Sequence, residues 1–192
     1  MSHAAPTSAP PPAPSSGRVL VIYAHPYPNR STTNRALLRG LEGLEGVAVR
    51  SLYELYPDLV IDAEAEKEAL VGCELVVWQH PLYWYSAPAL LKLWFEKVLQ
   101  LGWAYGKGGR ALAGKRCLWV TTTGGDEESY SPAGSHQRLF SEFEPVMAQT
   151  ARFCGMEWEE PLVVHHAHHL SPSELSEAAD RYRARVQAFL GG

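Results

Sequence analysis

The chain has 192 residues, 46% of them hydrophobic and 20% charged, with a formal net charge of −4. That length holds one domain of ordinary size with a self-sufficient core, and the composition argues against wholesale disorder. No basic run exceeds two residues, so the positive footprint of a nucleic-acid binder is missing and no nucleic-acid partner is expected. No stretch reaches the roughly 20 apolar residues of a membrane span, and the N-terminus lacks the basic start and apolar run of an export signal.

Residues 1–17 are mostly Ala, Pro, Ser and Thr. Such a segment buries too little apolar surface to offset its ordering entropy and reads as a disordered tail before a domain at 18–192. Val19 to Ala24 is a short apolar run of the kind found in a buried parallel strand. A loop with His25, Pro26 and Pro28 leads into a helical stretch from Thr32 to Leu44, closed by Gly43 and Gly46. Val47 to Leu52 reads as a second strand, and Asp62 to Val71 as a short helix with Asp62 as N-cap. The charges Glu64, Glu66, Lys67 and Glu68 read as its solvated face.

Leu75 to Gln79 is a third strand, running through His80-Pro81 and an aromatic loop into a helix from Ala87 to Gln100. Cys117 to Thr123 is a fourth strand ending in Gly124-Gly125. Ser135 to Phe153 reads as a helix interrupted near Pro145, Leu162 to His165 as a fifth strand, and Ser171 to Leu190 as a last helix opened by Ser-x-x-Glu. Cys73, Cys117 and Cys154 are odd in number and sit in apolar or helical sequence, which suits buried thiols in a reducing, cytoplasmic compartment.

Five successive βα units predict a parallel sheet covered on both faces. Ligands bind such sheets beyond the carboxyl ends of the strands, so the loops 25–34, 80–86 and 122–136 become the candidate site. Ser31, Thr32, Thr33 and Asn34 open the first helix, where unpaired N–H groups and a partial positive charge favour a phosphate. His25, Arg30 and Arg35 can add donors. Ordinary N-capping uses the same residue types, so the four residues alone leave both roles open. Neither a Walker phosphate loop nor a G-x-G-x-x-G follows the first strand.

Leu82, Tyr83, Trp84 and Tyr85 place bulky side chains on a loop, suited to the wall of a flat ligand or to a partner interface. Thr122, Thr123, Gly124 and Gly125 end the fourth strand, and glycine there permits close backbone approach. Downstream, Tyr130 and His136 pair a hydrogen-bond donor with a group that titrates near neutrality. His165, His166, His168 and His169 invite a metal, but no ligand spacing completes a site, and no metal is expected. Lys107-Gly108-Gly109-Arg110 reads as a mobile loop with charges able to meet the phosphates of a dinucleotide.

Taken together, Ala24-His25-Pro26-Tyr27-Pro28, Ser31 to Asn34, Ser51-Leu52-Tyr53, Leu55 to Asp58, Val77 to Pro81, Trp84-Tyr85-Ser86, Leu90 to Trp94, Gly102 to Gly106 and Thr122 to Gly125 form a colinear set. It resembles the flavodoxin-like NAD(P)H:quinone oxidoreductases, most of all the ancillary quinone reductase subunits of glutathione-regulated potassium efflux systems. The resemblance implies a flavodoxin-like three-layer α/β sandwich with a five-stranded parallel sheet of order 2-1-3-4-5. It implies FMN rather than FAD, with the phosphate at His25 and Ser31–Asn34 and the ring at Leu82–Tyr85 and Thr122–Gly125. It further implies Tyr130 and His136 as a charge and proton relay, NADH or NADPH as donor, a quinone-like acceptor, and a homodimer with the site at the interface. A potassium efflux transporter as partner, reached from the inner face of the membrane, is the remaining expectation.

Overall fold

The computed structural model describes residues 18–192; the reading of 1–17 as a disordered tail lies outside the described residues. The central strands carry the most apolar runs of the chain. β1 (Val19–Tyr23) is buried at every position, as is β3 (Leu75–Pro81), and β4 (Arg116–Thr122) is buried at all but its first residue. A strand buried on both faces must have cover on both, and side chains alternate to supply two cores. Leu20, Ile22, Trp78 and Trp119 face one cluster with α3 (Ala63–Val71), α4 (Ala89–Val98) and α5 (Glu144–Phe153). Val19, Val21, Val77 and Val120 face the other, with α1 (Thr32–Gly40) and α6 (Pro172–Leu190). Gly40 lets these last two helices meet: a Cβ there would lie 3.0 Å from the Ala179 carbonyl oxygen.

All strands pair in parallel, in the order β2-β1-β3-β4-β5, with β2 at Val47–Ser51. The expected order holds, but the sheet has six strands rather than five. β5 (Glu157–Trp158) pairs with Arg116 and Cys117, and β6 (Leu162–Val164) pairs with Val120 to Thr122 further along the same edge of β4. Pro161, between them, has no N–H to continue the ladder.

Helix starts follow their caps. The Asp62 carboxylate accepts from the Ala65 N–H at 3.1 Å, and Ser171 and Glu174 form the capping box that Ser-x-x-Glu predicts. The helix expected over 135–153 begins only at Glu144, because Pro145 is tolerated in a first turn and not inside a helix. The helix expected to reach Leu44 ends at Gly40 and continues as turns. A four-residue helix, α2 (Leu52–Leu55), follows β2 where the sequence reading placed only loop.

The charged face expected on α3 needs correction. Glu66 is fully buried, and Arg50 nearly so, at 2.6 Å. Tyr56 Oη donates to Glu66 Oε1 at 2.6 Å and Trp94 Nε1 donates to Oε2 at 2.9 Å. Both carboxylate oxygens are thus satisfied, which a buried charge requires. Lys67 is also buried, between Glu64 and Gln100. The three cysteines are free and buried, and burial pushes each thiol pKa up.

Candidate functional site

The switch between β1 and β3 opens a cleft of about 460 Å³ at the carboxyl ends of the strands. At one end lie His25, Arg30 and the start of α1; at the other, Pro81 to Tyr83 face Thr122 to Gly124. Ala167, His168 and Leu170, from the loop after β6, and Leu175 of α6 close the remaining side.

The α1 end is built as a donor cradle. Ser31 Oγ accepts the Asn34 N–H at 3.2 Å as the N-cap, and the first-turn N–H groups of Thr32 and Thr33 belong to the set a helix cannot pair with itself. The Tyr27 N–H donates to His25 Nδ1 at 3.0 Å, so in the neutral ring Nε2 carries the proton. Burial, and then the proximity of His168, lower the His25 pKa.

Asn34 and Thr33 line the cleft and also tie it together. Asn34 is buried; its Nδ2 donates to Thr122 Oγ1 at 2.9 Å and its carbonyl accepts from Gln79 Nε2 at 3.0 Å. Thr33 Oγ1 donates to the Ala167 carbonyl at 2.6 Å. These side chains lock α1 onto β3, β4 and the loop after β6, leaving the backbone of the first turn to face the cleft.

At the other end, Leu82 and Tyr83 line the cleft but Trp84 and Tyr85 do not. Tyr83 and Ser86 exchange backbone hydrogen bonds at 3.0 and 2.9 Å across a two-residue turn. Trp84 and Tyr85 both take positive φ, 49° and 61°, values that turns of this kind usually give to Asn and Gly. The strain holds Trp84 93% exposed at the tip. Tyr85 stacks on Phe143, with ring centroids 5.0 Å apart, and its hydroxyl lies 3.3 Å from His136 Nδ1.

Of the glycine pair, Gly124 borders the cleft, and a Cβ there would find only His168 Cδ2, at 3.9 Å. Gly125 lies outside it: a Cβ would come within 3.0 Å of His136 Nε2 and 3.4 Å of Tyr130 Cε2. Gly125 therefore lets the 126–136 loop pack against the turn. Tyr130 and His136 stack at 4.2 Å between centroids, beside the cleft rather than in its lining. Burial raises the Tyr130 pKa, opposed by a hydrogen bond with Thr123.

His80 is wholly buried at the end of β3. Trp119 Nε1 can only donate, so His80 Nε2 accepts it at 2.8 Å, and Nδ1–H donates to the Pro81 carbonyl at 2.9 Å. Burial lowers its pKa to about 4, keeping the ring neutral while it fixes the Pro81 peptide at the cleft wall.

The site residues that sequence reasoning missed are Ala167, His168, Leu170 and Leu175. The histidine run was the available signal, but it pointed toward a metal; among the described residues no group of three or more His, Cys, Asp or Glu is placed to hold one. Lys107 and Arg110 do not line the cleft.

These donors fit FMN. The α1 end offers N–H groups, an imidazole and a guanidinium to a phosphate. The slot between Pro81–Tyr83 and Thr122–Gly124 presents backbone to a flat ring, with the open side of Gly124 as space that any side chain there would fill.

The sequence matches the model of the Flavodoxin_2 family, described as Flavodoxin-like fold, over residues 17–189. The chain belongs to that family. Flavodoxin_2 relatives include the glutathione-regulated potassium-efflux system ancillary protein KefF of Salmonella typhi and of Salmonella typhimurium. Each is 48% identical over 171 residues, covering 89% of this chain and 96% of the relative. Among solved structures, general stress protein 14 of Treponema denticola in complex with FMN has a TM-score of 0.83 at 30% identity, covering 89% of this chain and 98% of that one. An NADPH-quinone reductase of P. pentosaceus has a TM-score of 0.80 at 28% identity, covering 88% and 96%. A chain described as a thermophilic tryptophan halogenase from Streptomycin violaceusniger has a TM-score of 0.84 at 40% identity, covering 87% and 97%. Among the described residues no helix is long and apolar enough to cross a membrane.

Proposed function

We propose that this protein is an FMN-dependent NAD(P)H:quinone oxidoreductase, carrying two electrons from nicotinamide to a quinone-like acceptor by a ping-pong route. The observation that carries the reading is the cleft itself: a helix-terminus anion cradle and a backbone-walled slot joined in one cavity. The FMN complex of one relative and the quinone reductase name of another support it. The halogenase description of a third names a chemistry foreign to those two and is not carried to this chain.

FMN, when bound, supplies a ring that takes hydride from a nicotinamide and delivers it to an acceptor. The protein's residues bind and orient. His25, Arg30 and the first turn of α1 hold the phosphate; Leu82, Tyr83 and Thr122 to Gly124 hold the ring. Tyr130 and His136, joined by Tyr85, offer a phenol and an imidazole that hold and move a proton at the rim. The unit that does this is residues 18–192, working as a cytoplasmic homodimer whose partner covers the exposed Trp84 tip.

A second reading is compatible with the first: an ancillary subunit of a potassium efflux system, docking from the inner face of the membrane. The 48% identity to KefF favours it, and co-purification with such a transporter tests it. For the enzyme, FMN titrated into flavin-stripped protein should bind one per chain with quenched fluorescence. Failure to bind FMN would overturn the reading.

A further inference from the structure

The loop after β6 is built into the cleft from both sides. The His166 N–H donates to the Gly125 carbonyl and the Ala167 N–H to the Thr123 carbonyl, both at 2.9 Å. From the other side, Thr33 Oγ1 donates to the Ala167 carbonyl at 2.6 Å. Residues 166–168 are thereby strapped between the glycine turn and the first turn of α1. His166 takes a positive φ of 57° to make the bend, a cost that only surrounding contacts sustain.

His168 is what the strap delivers. It lines the cleft together with His25 and Arg30. It stands close enough to His25 to help lower the pKa of that ring, after burial. An anion bound beside two imidazoles and a guanidinium favours the charged form of each ring. Among the described residues lining this cleft there is no Asp and no Glu, so no carboxylate of the lining competes with an anion there.

We propose that His168 is a binding residue for a phosphate monoester, and that with His25 and Arg30 it makes the cleft select FMN over riboflavin and FAD. The inference deepens the FMN reading and rests on it. A monoester carries close to two negative charges near neutrality and has three strong acceptor oxygens. Each phosphate of a dinucleotide is singly charged, and riboflavin has none. An imidazolium on a dianion makes a charge-assisted hydrogen bond, about twice as strong as a neutral one.

The test is flavin affinity of the stripped full-length chain, followed by fluorescence. His168→Ala should weaken FMN about tenfold, as loss of one charge-assisted hydrogen bond implies, and leave riboflavin unchanged. His168→Arg should restore FMN. Inorganic phosphate should compete with FMN on the wild type and less well on His168→Ala. His169→Ala, one residue beyond the strap and outside the cleft lining, should change neither flavin. Equal losses for FMN and riboflavin would reveal a packing role, and an unchanged FMN affinity would show no contact; either overturns the assignment while the FMN reading stands. Wild type that binds neither flavin overturns both.

Discussion

Tyr130 and His136 stack face to face, and Tyr85 reaches the same imidazole from the opposite loop. Stacked rings do not hydrogen-bond each other, so in the proposed relay the Tyr130 hydroxyl, bonded to Thr123, and the His136 imidazole, bonded to Tyr85, each offer a proton at the rim. Tyr130→Phe and His136→Ala should each keep FMN affinity and slow flavin reduction by NAD(P)H about a hundredfold, the lower end for general acid–base groups. Stopped-flow absorbance reads it, and unchanged rates in both variants would remove the relay. His80 makes a separate prediction. Its pKa falls from 6.5 to about 4 on folding, so the unfolded chain binds the extra proton in that window. Its stabilisation is complete above pH 6.5 and is lost as pH falls to 4, about 3 kcal/mol in all. Urea unfolding at both pH values should show this loss in the wild type and lack it in His80→Gln. At this scale the sequence was partly legible. The chemistry of Ser31 to Asn34 was readable from residue type, but whether a side chain faces a ligand or a neighbouring strand was not. Asn34 went to Thr122 and Gln79, which lie far from it in the chain.

The elements explain what held and what did not. β1, β3 and β4 were readable because strands buried on both faces are continuous apolar runs. Capping boxes and Pro145 fixed helix starts for local reasons. The strap at 166–168 and the Trp84-Tyr85 turn were not readable. Each depends on positive φ at residues other than glycine, which residue type alone does not announce. Glu66 was misread because a charged residue on a helix reads as exposed unless its distant partners, Arg50, Tyr56 and Trp94, are known. Glu66→Gln leaves Arg50 buried without a counter-charge and should cost about 3 kcal/mol. Because none of these residues lines the cleft, FMN affinity should be unchanged; denaturant midpoints and an FMN titration check both halves.

At the scale of the whole molecule, the order β2-β1-β3-β4-β5 puts three loops at one edge and makes a switch point between β1 and β3. One sheet thereby sets the first turn of α1, proposed to hold the phosphate, beside the slot at β3 and β4 proposed to hold the ring. The alternation of strand and helix gave the fold class; the strand order came from resemblance, because periodicity does not say which strands are neighbours. A site open at its rim, with an exposed Trp84, suits successive visits by donor and acceptor. The direct measurement is anaerobic double mixing of FMN-loaded protein, first with NADPH or NADH and then with a quinone. The 450 nm absorbance should bleach on the first mixing and return on the second, with parallel lines in steady-state double-reciprocal plots. FMN that stays oxidised with both nicotinamides would contradict the account.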